Sequence, residues 1–490
     1  MTVIYENAEI GRVQTPPVIF KEPQEAPVPT VEVVTIRIND VGSWRKMGRQ
    51  LSAAASVFFL FVYAGMDLAH SSGWNQTLNA SASQQFECSW FIGVLAGAAI
   101  SSMAMSFIPK MPFYVLGALM ELAGAIMYAT APYNYSVLLA ARYVAGIGVG
   151  LITVPFIIHS AEVASDNYRG ISGSMEQCGL ALGIAIQVIF DSQYVDDRDS
   201  SVNQIHGILG IVFCLLGLVL TSLSIESPIF HITRNQEETA RRCQEKILGN
   251  FIYKVDVAFE EAKGYVEESR HMTFWKELLR SLVPLVKVLV YRGFVAFSFS
   301  LPLTTSLISS TLLTEGYIAS WPVTVWGLVR LLGTLVAQAF LERLGRKLFS
   351  LVALFCMAGL ILSMAILYED PNNVRSFNDM LQIRSLGVAF QAFAGLFVCS
   401  SPVYLGEAFP LRVKPLLVGY VVGFEQTVHI INIIGYRQAS SDFFYHYYLS
   451  VGIILLLGVI LFAVVMPETK RLTLREAGRR IQRWHNLRCF

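Results

Sequence analysis

Residues 51–74 read LSAAASVFFLFVYAGMDLAHSSGW. From Leu51 to Met66 the run is nearly unbroken apolar sequence, and about 20 such residues form a helix long enough to cross a bilayer. Asp67 follows directly. A carboxylate inside a span costs roughly 3 kcal/mol or more unless it is paired or wetted. Two readings are open: an acid at the outer end of the span in contact with water, or a sheltered acid with a partner elsewhere in the chain.

The rest of the chain repeats the apolar pattern. Of its 490 residues, 54% are hydrophobic and 15% charged, against roughly 25% charged in soluble domains. Runs of spanning length recur near 51–70, 89–108, 113–131, 136–158, 172–190, 205–225, 286–312, 319–340, 348–368, 383–406, 416–436 and 446–466. The expectation is an all-α membrane protein with twelve transmembrane helices in two six-helix halves. Its segments are a disordered Pro-rich tail (1–48), a first bundle (49–225), a polar linker with short surface helices (226–283), a second bundle (284–466) and a tail (467–490). Halves of equal span number are the mark of transporters built from repeats. The net charge of +1 speaks against a nucleic-acid partner. Of the seven cysteines, Cys88 alone would face outward, so no disulfide framework is expected.

Orientation follows from Lys and Arg in short loops. Arg45, Lys46, Arg49, Lys110, Arg169, Arg343, Arg346, Lys347, Arg412, Lys414, Lys470 and Arg471 fall on one side once the spans alternate. Both termini should therefore be cytoplasmic. The sequons at Asn75 and Asn79 fall in the first outer loop and are candidate glycosylation sites.

Span 4 ends in ARYVAGIGVGLITVPFIIHSAEVASDNYRG (141–170) and span 10 in SSPVYLGEAFPLRVKP (400–415). Each places a Glu seven residues before a base: Glu162 before Arg169, Glu407 before Lys414. Acids and bases at an inner rim can fasten two bundles in one state and release them in another; charges snorkelling at helix ends are the simpler reading. The Gly146-x-Gly148-x-Gly150 run has no strand before it, so it reads as close helix packing rather than dinucleotide binding.

These motifs, with ESPIFHITRNQEETAR after span 6, LERLGRK after span 8, GEAFPLRVK after span 10 and PETKRLTLREA after span 12, resemble the sugar porter family of the major facilitator superfamily over roughly residues 50–475. GMDLAHSS resembles, more loosely, the first span of insect trehalose and hexose carriers in that family. The resemblance implies the major facilitator fold, alternating access, no cofactor and no enzymatic activity. It implies a cytoplasmic gate from Glu162, Arg169, Glu226, Glu342, Arg343, Arg346, Glu407, Lys414 and Glu468. It makes Gln177, with Gln187 ten residues on, a candidate amide for sugar hydroxyls, an interhelix hydrogen bond being the alternative. It also answers the opening question: Asp67 and Arg142 occupy the positions of the family's proton couple, although a structural buried pair would look the same in sequence.

The departures matter equally. The amides of span 7 are gone, leaving hydroxyls such as Ser300 and Thr304. The Trp of span 10 is missing, and span 11 reads GFEQTVHIIN. Charges enter where amides left: Glu425, beside Gln426, and His429 lie one turn apart on one helix face. Arg330 lies twelve residues before Glu342, about 18 Å along the helix and thus near mid-membrane. Arg330 and Glu425 are expected to face the cavity, paired with each other or binding a charged solute; a structural ion pair is the alternative. His429 is a candidate proton carrier. The function expected is a secondary active or facilitative carrier of a small polar solute, a sugar by family default, in a plasma membrane, as a monomer among lipids, with protons as the candidate coupling ion. An organic-ion carrier and a non-transporting membrane sensor are the other readings.

Overall fold

The computed structural model describes residues 51, 56–75, 84–193, 201–249, 252–436 and 440–486. The expected N-terminal tail lies outside them. Six helices build the first half: α1 (Phe58–Ser71), α2 (Gln84–Ala104), α3 (Lys110–Thr130), α4 (Tyr135–Val163), α5 (Arg169–Gln193) and α6 (Val202–Thr221). The polar segment folds as α7 (Pro228–Thr233), α8 (Glu237–Leu248), α9 (Ile252–Arg270) and α10 (Phe274–Arg280). The second half comprises α11 (Leu282–Phe297), α12 (Leu301–Glu315), α13 (Trp321–Leu344), α14 (Arg346–Glu369), α15 (Phe377–Val398), α16 (Ser401–Glu407), α17 (Lys414–Gly435) and α18 (Ser441–Val465), and α19 (Leu474–Ile481) follows. Among the described residues eleven segments are long and apolar enough to cross a membrane, with α11–α12 and α15–α16 each forming one span; α1 occupies the place of the first.

Two runs that read as single helices in sequence are broken. Span 7 breaks at Ser298–Ser300 and span 10 at Cys399–Ser400, because Pro302 and Pro402 each lack an N–H and clash with a preceding helical turn. Such breaks leave backbone groups to be satisfied from neighbouring helices. Elsewhere the starts are capped as their residue types suggest: the Asn134 carboxamide oxygen accepts from the backbone N–H of Ser136 and Val137.

Glycines set the helix spacing in the first half. A Cβ on Gly150 would lie 2.2 Å from the Val94 carbonyl oxygen, and one on Gly146 2.3 Å from that of Trp90. The Gly146–Gly150 run is thus the contact by which α4 meets α2, in keeping with small-residue packing between membrane helices. Large apolar side chains such as Val219, Leu332, Ile366 and Ile460 are exposed, as a lipid-facing surface requires.

The two halves meet along α2 with α17 and α5 with α13. At one end, here the linker end, α7, α9 and α19 pack against the helix termini through Ile229, Val266, Leu474 and Ala161. The C-terminal segment therefore caps the same end as the linker.

Candidate functional site

Glu407, at the end of α16, is buried among cations. Arg346 Nη1 donates to both its oxygens, at 2.6 and 2.7 Å, and Arg169 of the other half reaches it at 3.4 Å. Glu342 accepts from Arg346 at 3.2 Å and from the backbone N–H of Gly170 at 2.6 Å. Gly170 has no side chain to keep that carboxylate away. Glu468 accepts from the backbone N–H of Lys347 at 3.0 Å. The linker end is thereby fastened across the seam.

The pairing is not the one that within-half spacing suggested. Glu162 pairs with Lys110 at 3.1 Å, and Lys110 also reaches Glu226 at 3.3 Å. Lys414 is buried, yet its Nζ finds no hydrogen-bond partner among the described residues. Arg343 is exposed on the far face of α13 and takes no part. Two residues seven apart straddle a helix end, so their side chains diverge; the partners come from other helices instead.

Asp67 is fully buried within the first half. Arg142 Nη1 lies 3.9 Å from it and His206 Nε2 3.4 Å. Arg142 is held by the Phe86 carbonyl at 2.9 Å, by Ser89 at 3.2 Å and by Ser71. His206 Nδ1 shares a hydrogen bond of 2.9 Å with Gln187 Oε1. Gln187 is therefore bound into the first bundle and does not line the space between the halves. The acid is sheltered, with Arg142 and His206 as its neighbouring bases, yet neither of its oxygens accepts a hydrogen bond among the described residues; the reading of a water-exposed span end is set aside.

Between the halves lies a small cavity, about 40 Å³, lined by Phe61, Trp90, Glu176, Arg292, Glu425 and His429 among others. The space is far below the roughly 300 Å³ at which ordinary ligand pockets begin. Its polar feature is a network in which Glu425 faces the cavity as expected, while Arg292 and Glu176 are not among the expected residues. Arg292 of α11 donates to Glu176 of α5 at 3.0 and 3.3 Å and to Glu425 of α17 at 2.8 Å. Gln177 Nε2 donates to Glu176 at 3.2 Å, Gln426 lines the cavity, and the His429 ring stacks on Phe91 at 4.6 Å between centroids.

Arg330 does not pair with Glu425. It donates to the Ser298 carbonyl at 3.1 Å and to Gln391 Oε1 at 2.8 Å, serving the carbonyl that the broken span 7 leaves free. Ser300 bonds Tyr447 at 2.9 Å, and Thr304 Oγ1 is buried without a partner among the described residues; neither lines the cavity. Arg292 and Glu176 were visible in principle, since each is an ionisable residue inside an apolar run. Asn75 is buried, and its side-chain nitrogen donates to the His70 carbonyl at 3.0 Å, whereas an attached glycan would need that nitrogen at the surface. Asn79 lies outside the described residues.

At the far end the halves also touch. Trp74 and Trp326 approach to 5.9 Å between ring centroids, and Gln84 donates to the Tyr436 carbonyl at 3.4 Å. Two six-helix halves, broken helices at the seam and a small cavity between them are the architecture of the major facilitator fold. The chain belongs to the sugar (and other) transporter family, whose family model matches residues 51–480. It is 25% identical over 385 residues to hexose transporter 1 of Toxoplasma gondii, covering 72% of this chain and 66% of that one, just under two thirds of its length. It is 24% identical over 472 residues to the facilitated trehalose transporter Tret1 of Polypedilum vanderplanki, 88% of each. Its fold matches the proton:xylose symporter XylE bound to 6-bromo-6-deoxy-D-glucose with a TM-score of 0.69 and 17% identity, over 89% of this chain and 99% of that one.

Proposed function

We propose that this chain carries a small polar solute, a sugar in the first instance, across a membrane by alternating access. The observation that carries the reading is the seam. Charged residues from both halves meet around a small cavity, and a second set of cross-half pairs fastens the linker end. Such pairs are a bistable element that can break at one end while forming at the other. The sugar class is drawn from relatives named for hexose and trehalose. Gln426, in the cavity wall, supplies donor and acceptor groups of the kind a hydroxyl needs, while Gln177, outside that wall, supports Glu176.

Asp67, with Arg142 and His206, is read as the proton-coupling site, and His429 as a further candidate. The linker end is read as cytoplasmic because Arg169, Arg346, Lys347 and Lys414 cluster there. The chain is read as a plasma-membrane monomer. The test is uptake of radiolabelled glucose, xylose and trehalose by proteoliposomes holding the full chain. Saturable uptake of one of them supports the reading; no uptake of any sugar rejects it. A carrier of organic ions is the second reading, favoured by Glu176, Arg292 and Glu425 in the cavity wall.

A further inference from the structure

Among the described residues, Glu176 has its ion-pair partner in the other half alone, whereas Glu407, which Arg169 also reaches across the seam, keeps Arg346 in its own half. Glu425 and Arg292 belong to the same half and travel together. Glu176 belongs to α5 of the first half, while the guanidinium that holds it, 3.0 Å from Oε1 and 3.3 Å from Oε2, belongs to α11 of the second. Both are buried, with 2% and 1% of their surface exposed. A two-pronged Arg–carboxylate contact is among the stronger polar contacts in proteins. It cannot survive separation of the halves.

Once the halves part, the second half keeps a neutral Arg292–Glu425 pair and the first keeps a bare carboxylate. The side-chain hydrogen bond that Glu176 keeps on its own half comes from Gln177, which donates at 3.2 Å but brings no charge. The cavity wall around it is largely apolar: Phe61, Leu68, Val94 and Leu180. An ionised carboxylate left without a partner in such a place is strongly disfavoured. The other titratable groups facing the cavity are Glu425 and His429, neither of which can replace a guanidinium at Glu176. Arg330 on α13 is turned to Ser298 and Gln391, and Arg142 is held in the first half by Phe86 and Ser89.

Resting on the transporter reading above, we propose that Glu176 is the site where this carrier takes up one positive charge each time the seam opens, in exchange for Arg292. The charge comes from one of two sources: a proton from solution, or the protonated amine of an amine-bearing solute. Arg292 and the incoming cation compete for one carboxylate, so cation occupancy and opening of the seam are linked.

The test compares the full chain with its Glu176→Gln and Glu176→Asp variants in proteoliposomes containing a pH-sensitive dye. The probes are D-glucose and D-glucosamine, which differ by a hydroxyl against an ammonium. If the solute brings the charge, glucosamine is preferred by about tenfold or more, the scale of a charge-assisted hydrogen bond, and Glu176→Gln loses the preference. If the proton does, glucose and glucosamine are used alike, proton entry accompanies uptake, and Glu176→Gln loses that entry while Glu176→Asp keeps it. Wild-type proton entry and wild-type amine preference in Glu176→Gln would overturn the proposal. A second measurement needs no flux: amide hydrogen exchange of α5 and α11, corrected for the intrinsic pH dependence of exchange, in the full chain and in Glu176→Gln. Protection that falls with acid or with glucosamine in the wild-type chain but not in Glu176→Gln supports the site; the same response in both, or no response in the wild-type chain, overturns it. Absence of all sugar uptake would reject the transporter reading, and the exchange comparison would still judge Glu176.

Discussion

Arg169 Nη1 lies 3.4 Å from Glu407 Oε1, and the two residues belong to opposite halves of the molecule. The contact joins the end of span 10 to the start of span 5, where Arg346 already holds Glu407 at 2.6 Å. Two cations on one buried acid make Glu407 the hub of the linker end. Removing one member of a buried pair costs about 3–5 kcal/mol, because the remaining charge is left uncompensated.

Glu407→Gln is therefore expected to lower both the melting temperature in detergent and the initial rate of uptake, the latter by about tenfold or more. Arg343→Gln is the matched control. Arg343 is exposed, and a surface change of this kind stays within about 0.5 kcal/mol. Equal effects of the two variants would contradict the assignment.

Glu226 lies between the first bundle and the linker helices, where it accepts from the Lys110 backbone N–H at 2.8 Å and from Ser227 N–H at 3.1 Å. Burial alone would raise its pKa, but the charge of Lys110, His159 and these backbone donors together hold it below the ordinary glutamate value of 4.5. An acid depressed in the folded state contributes stability above its unfolded value, and that stability fades as pH falls from 4.5 through the lower folded value. Unfolding temperature measured against pH is expected to drop in that window. The drop should be shallower in Glu226→Gln.

Gly150 has no room for a side chain, since a Cβ would lie 2.2 Å from the Val94 carbonyl oxygen. Gly150→Ala forces α2 and α4 apart and is expected to cost about 1–3 kcal/mol, the range for overpacking. Gly359, in α14, has nothing within 4 Å of an added Cβ. There Ala is expected to be neutral or to stabilise by up to about 1 kcal/mol, the helix-propensity difference. Thermal unfolding of the two variants side by side checks the contrast.

Asp67→Asn replaces the carboxyl group that lies 3.9 Å from Arg142 and 3.4 Å from His206. Loss of accumulation against a gradient, with exchange of labelled for unlabelled solute retained, is the expected pattern. Unchanged accumulation would reject Asp67 as the coupling acid.

Much of this architecture could be read from residue order, and the reasons are physical. Each span announces itself by length and apolarity, and Asp67 and Arg142 stood out because ionisable groups are costly there. Spacing along one helix says which residues share its face; it does not say which helix lies opposite. Glu162 and Arg169 were linked by spacing, yet they take partners on other helices, Lys110 and Glu407. Arg330 and Glu425 were linked by depth, but the break before Pro302 exposes the Ser298 carbonyl and draws Arg330 to it. Arg292 carries the same signal, an ionisable residue in an apolar half-helix, but its partner Glu176 lies in the other half, which no spacing along the chain indicates.

The central claim is that two halves pivot about a shared polar cavity, opening one end as the other closes. The direct measurement is a pair of spin-label distances in the full chain. One pair sits at Tyr133 and Tyr317, exposed residues in different halves. The other sits at Phe107 and Leu344, also exposed and in different halves, near the linker end. On adding transported sugar or changing pH, the account predicts that one distance lengthens as the other shortens. Distances that stay fixed, or that change in the same sense, would contradict it.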